Sequence, residues 1–69
     1  MTGQEYALLQ EITDRRDSVI AALKKTQRAM DRYDSDGDIY DDVERLIGRL
    51  TARQAADETL LVEQERAWA

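Results

Sequence analysis

Apolar residues, with a few polar substitutes, recur at alternating steps of three and four along two runs of this chain. The first run is Leu9, Ile12, Arg16, Val19, Leu23, Thr26, Met30 and Tyr33; the second is Tyr40, Val43, Ile47, Leu50, Gln54, Asp57, Leu61, Gln64 and Trp68. That spacing keeps a stripe on one face of a helix and is the pattern of a coiled-coil seam. Proline is absent, so nothing covalent interrupts a long helix. Thr2 followed by Glu5 has the form of a capping box and starts the first helix near Gly3. Asp34-Ser35-Asp36-Gly37-Asp38 reads as a turn, because glycine and aspartate suit tight backbone reversals. The pattern therefore predicts an all-α, antiparallel two-helix hairpin filling residues 1–69 as a single domain. Its helices run over about 3–33 and about 39–67, with the acidic turn at about 34–38. Gly48 is unfavourable inside the second helix, and Thr51 with Gln54 offers a second capping box. The stripe passes both without a phase slip, which favours one continuous helix over a break.

Folding the runs against each other yields mirrored layers: Tyr33–Tyr40, Met30–Val43, Thr26–Ile47, Leu23–Leu50, Val19–Gln54, Arg16–Asp57, Ile12–Leu61 and Leu9–Gln64. Beyond them Glu5 falls beside Trp68, with Tyr6 close by. A charge on a seam is costly unless paired, and a polar layer is a device for fixing register. Arg16 and Asp57 are the expected register pair; the competing reading has both side chains reaching outward to water.

The same register leaves one apolar edge without a cover. It carries Leu8, Arg15, Ala22 and Ala29 from the first helix, and Ile39, Leu46, Arg53, Leu60 and Ala67 from the second. The opposite edge holds Thr13, Gln27, Glu44, Thr51, Glu58 and Glu65, with Tyr6 and Ile20 as apolar exceptions. A long exposed apolar strip is rare on a monomer, whereas a four-helix bundle needs such flanking positions. The expectation is a homodimer of hairpins, with Ala22 and Ala29 allowing close helix approach.

Size points the same way. A chain of 69 residues buries little of its own surface, and small scaffolds compensate with disulfides, a metal or oligomerisation. There is no cysteine and no histidine. Disulfides are thereby excluded, and the commonest metal ligand and neutral-pH base are missing. No apolar run is long enough to span a membrane, and no charged-then-apolar leader is evident, so a cytoplasmic protein without membrane contact is expected. The net charge of −5 weighs against nucleic acid as the main partner.

Candidate chemistry is sparse. Asp34, Asp36 and Asp38 have the spacing of the first three ligands of an EF-hand loop. However, Ile39 occupies the invariant glycine position and Arg45 that of the bidentate glutamate, so the acidic turn and helix cap is the preferred reading over a calcium-responsive module. Lys24, Lys25, Arg28, Arg32 and Arg49, with Arg45, form a basic ridge that offers phosphate or nucleic-acid binding as an alternative. The neighbouring carboxylates and the lack of interleaved aromatics favour a solvated face. Trp68 has a seam position available and reads first as the end layer, second as an anchor for another protein. No nucleophile–base set, phosphate loop or zinc spacing occurs, so no enzyme activity and no cofactor are expected. The segment Leu46-Ile47-Gly48-Arg49-Leu50 with Leu60-Leu61 is loosely similar to the helical hairpins of bacterial flagellar and secretion export chaperones. That likeness covers half of the chain and rests on a pattern shared by many coiled coils. The functional expectation is a non-enzymatic protein–protein interaction module: an assembly factor, adaptor, chaperone-like protein or inhibitor.

Overall fold

A computed structural model of the chain describes residues 1–33 and 37–69. Two helices, α1 (Gly3–Tyr33) and α2 (Gly37–Trp68), pack against each other as an antiparallel hairpin. The start of α1 is capped as its sequence dictates. Thr2 Oγ1 accepts the Glu5 amide at 3.1 Å, satisfying one of the donors that a helix end leaves free, and the Thr2 carbonyl accepts the Tyr6 amide at 3.0 Å as the first bond of the helix. Helix α2 begins two residues before the turn chemistry suggests, which places Asp38 in its first turn. A carboxylate there faces the positive end of the helix dipole, and Arg66 in the last turn faces the negative end.

Gly48 lies within α2 without interrupting it, and a Cβ built there would meet nothing within 4 Å. Nothing in the packing requires the glycine. Gly48→Ala is expected to stabilise the hairpin by about 0.5–1 kcal/mol, read as a raised midpoint in urea with an unchanged slope.

The stripe of α2 packs inward along its length: Tyr40, Val43, Leu50 and Gln64 are half-buried, and Ile47, Gln54, Asp57 and Leu61 are buried. Helix α1 differs from its expected register. Its inward residues are Tyr6, Leu9, Thr13, Arg16, Ile20, Leu23, Gln27 and Met30. Ile12 and Val19 stand 41% and 49% exposed, and Thr26 is exposed, with its hydroxyl bonded to the Ala22 carbonyl at 2.9 Å. The layers Ile12–Leu61, Val19–Gln54 and Thr26–Ile47 are therefore not formed. Leu9, Arg16, Leu23 and Met30 of the presumed stripe keep their places, and Tyr6, Thr13, Ile20 and Gln27 lie inward where Ile12, Val19 and Thr26 do not. This amounts to turning α1 by about 50°, half the step between successive residues.

Gln54 explains the turn. In the expected register its amide would face the Val19 methyls and lose hydrogen bonds on burial, at a cost of about 1–3 kcal/mol. In the structure Gln54 Nε2 donates to the Thr13 carbonyl at 2.6 Å, and Thr13 satisfies its own hydroxyl on the Gln10 carbonyl at 2.8 Å. Bringing Thr13 inward brings Ile20, one turn-pair further along the same face, inward with it.

The interior is thin. Among the described residues the buried apolar side chains are Ile20, Ile47 and Leu61, matched in number by the buried polar Thr13, Gln54 and Asp57. The molecule is a rod of 51 × 15 × 14 Å with a radius of gyration of 15.6 Å. A compact domain of this length has a radius near 11 Å. Its surface of 5451 Å² exceeds by about 1,000 Å² the roughly 4,400 Å² typical of a folded monomer of its mass.

Candidate interaction surface

At mid-height the hairpin is held by a polar cluster rather than by aliphatic packing. Arg16 Nη1 donates to Asp57 Oδ2 at 2.7 Å and to Gln54 Oε1 at 3.2 Å. The Arg16 side chain is 15% exposed and that of Asp57 4%, so the pair lies inside the seam. Asp57 Oδ2 also faces Arg53 Nε at 3.4 Å, one helical turn earlier on α2, and Gln54 Nε2 reaches Glu58 Oε1 at 3.4 Å. No buried side-chain nitrogen or oxygen among the described residues lacks a partner. Both guanidiniums approach the same oxygen, Asp57 Oδ2, and the Arg16–Asp57–Gln54 contacts tie the two helices together at this height.

The open end is closed by an aromatic pair. Tyr6 and Trp68 meet edge to face with ring centroids 4.8 Å apart, and the Tyr6 hydroxyl donates to Glu65 Oε1. That hydrogen bond, desolvation and the Glu65 charge, in that order, raise the Tyr6 pKa above the ordinary tyrosine value. Trp68 packs on Tyr6 and leaves half of its surface exposed.

The apolar edge read from the sequence is exposed, and the turn of α1 widens it. Leu8, Ile39, Leu46 and Leu60 are exposed, Ala22, Ala29 and Ala67 with them, and Ile12 and Val19 now join. These residues share one side of the hairpin. On α1 the flanking positions 12, 19 and 26 each precede an inward residue (13, 20, 27). On α2 positions 39, 46, 53 and 60 likewise precede inward residues 40, 47, 54 and 61. In two antiparallel right-handed helices, positions displaced from the seam in the same angular sense fall on the same side of the pair. The result is a largely apolar face along the rod, with Thr26 towards the turn and Glu5 at the open end. Arg15 and Arg53 cross it at mid-height, Arg15 bonded to Glu11 at 2.7 Å and Arg53 to Asp57. The sequence left out Ile12, Val19 and Thr26; the signal that could have found them was the pair of apolar exceptions, Tyr6 and Ile20, on the supposedly polar edge.

The opposite side carries an open acidic groove lined by Asp14, Asp17, Glu58 and Glu65 around Thr13 and Gln54. The basic ridge residues Lys24, Lys25, Arg28, Arg32 and Arg49 are all exposed, and Arg45 pairs with Asp42 at 3.2 Å. Asp34 and Asp36 of the acidic turn, and the side chain of Tyr33, lie outside the described residues; Asp38 sits in the first turn of α2. Among the described residues no three histidine, cysteine or acidic side chains converge on a metal-sized site. No helix among them is long and apolar enough to cross a membrane. Comparison of the chain with protein-family models, with curated proteins and with solved structures found no match.

Proposed function

We propose that this chain is a non-enzymatic protein–protein interaction module, of the kind that serves as an assembly factor, adaptor, chaperone-like protein or inhibitor, and that it acts as a helical oligomer. The observation that carries this reading is the apolar face: Leu8, Ile12, Val19, Ile39, Leu46 and Leu60 are all solvent-exposed on one side of a hairpin that buries three aliphatic side chains among the described residues. A patch of that extent marks an interaction site. The surplus surface of about 1,000 Å² is close to the roughly 800 Å² that each partner contributes to a standard stable interface. Pairing two hairpins through this face makes a four-helix bundle and supplies the core that each hairpin lacks.

The test is mass in solution by analytical ultracentrifugation across dilution, with helicity followed in parallel. The dimer mass should persist at about 10 μM, and helicity should fall as dilution separates the subunits. A folded monomer at that concentration would overturn the reading.

A further inference from the structure

We infer that the occupant of the apolar face is a second copy of this chain lying antiparallel to the first, its turn at the opposite end, about a two-fold axis at the height of Val19 and Arg53. The inference rests on the oligomeric reading above and adds its geometry. Two patterns on the face carry it, one of shape and one of charge.

The shape pattern is a palindrome on each helix about the same height. Arg16 pairs with Asp57; three residues on from Arg16 is Val19, and four back from Asp57 is Arg53, so these two sit level. On α2, Leu46 and Leu60 are equidistant from Arg53, as are Ile39 and Ala67 beyond them. On α1, Ile12 and Thr26 are equidistant from Val19, and Leu8 and Ala29 nearly so. A two-fold axis through that height lays each helix on its own copy, running the other way. Leu46 then meets the partner's Leu60, Leu8 meets the partner's Ala29, and Ile12 meets the partner's Thr26. Large faces small along α1, as close helix packing needs.

Charge decides between this and the other two-fold arrangement, with the axis along the rod. The outer margin of α1 is acidic at one end, with Glu11, and basic at the other, with Lys25 and Arg32. Antiparallel packing sets Glu11 beside the partner's Lys25, twice by symmetry. Glu11 keeps its bond to Arg15, and its second carboxylate oxygen is free for the lysine. One like-charged approach opposes these, Asp42 with the partner's Glu63, and Asp42 is already neutralised by Arg45. The two Arg53 side chains near the axis are each held by their own Asp57. With the axis along the rod, Glu11 would instead lie beside the partner's Glu63 and Lys25 beside the partner's Arg49. Like charges would then face each other on the rim, which costs affinity and specificity.

Asp38 is exposed on α2, away from this face, and the chain has no native cysteine. Asp38→Cys carrying a spin label therefore measures the arrangement by pulsed electron–electron resonance. Position 38 lies about fifteen residues from the axis, so two antiparallel copies separate the labels by about 45 Å at 1.5 Å per residue, against under ~25 Å for the axis along the rod. A dimer with short label distances would overturn the antiparallel arrangement and leave the dimer standing; a monomeric mass would overturn both. A charge reversal gives the second readout. Glu11→Lys alone and Lys25→Glu alone should each weaken the dimer several-fold, and the two together should restore it. Additive weakening in the double variant would also overturn the arrangement.

Discussion

Replacing Asp57 with alanine is expected to destabilise the hairpin by about 3 kcal/mol, and replacing Arg16 with alanine by clearly less. Removing Asp57 leaves the Arg16 guanidinium in the seam with only the Gln54 amide oxygen to face, and stripping one partner from a buried pair costs about 3–5 kcal/mol. The lower end applies because the Arg16 side chain keeps 15% of its surface in water. Removing Arg16 is a different event. Asp57 still has Arg53, 70% exposed and 3.4 Å away, free to swing in and take the place of the lost guanidinium. A domain of this length has about 3–10 kcal/mol of stability in all, so Asp57→Ala should leave a substantial unfolded population at room temperature. Urea denaturation of the two single variants, the double variant and Arg53→Ala measures the asymmetry. Equal losses for Asp57→Ala and Arg16→Ala would show that Arg53 provides no relief. Zero coupling between positions 16 and 57 would show that the pair contributes nothing to holding the register.

Leu46→Asp is expected to raise the dissociation constant of the oligomer at least about 100-fold, equivalent to about 2.7 kcal/mol. Leu46 stands exposed on the apolar face, and in a two-fold dimer each substitution occurs twice. An unpaired carboxylate pressed against aliphatic groups loses hydration without compensation. Helicity should fall together with mass, because among the described residues the separated hairpin retains a buried apolar core of Ile20, Ile47 and Leu61 alone. Thr51→Asp, at an exposed site on the opposite, polar edge of α2, is the control and should leave the mass unchanged. Sedimentation velocity of both variants at equal concentration gives the result directly. A Leu46→Asp dimer as tight as the parent would place the interface elsewhere.

The hairpin was legible because α2 and the cap of α1 follow local rules. Every inward residue of α2 can be picked from its three-four spacing, and Thr2 with Glu5 marks the start of α1. The facing of α1 was not legible, because two stripes on that helix are of nearly equal hydrophobicity. One includes Ile12, Val19 and Thr26; the other includes Tyr6, Thr13, Ile20 and Gln27. They share Leu9, Arg16, Leu23 and Met30, so periodicity alone scores them alike. What separates them is a long-range hydrogen bond from the Gln54 side chain to the Thr13 backbone, and a backbone carbonyl has no letter in the sequence. The apolar face follows from the same point. Its α2 half can be read directly, whereas its α1 half doubles only once the rotation is known.

Gln54 therefore works as a detent on a gear. The single notch it selects retracts Thr13 and Ile20 and pushes out Ile12 and Val19. Advance α1 by that half-step and the outer surface changes its chemistry with no surface residue altered. A drift from Gln54 to leucine would relax the detent, since a methyl group has no preference for the Thr13 carbonyl. Natural variation in what this hairpin grips would then be found by looking inward, at the seam, as well as at the residues that do the gripping.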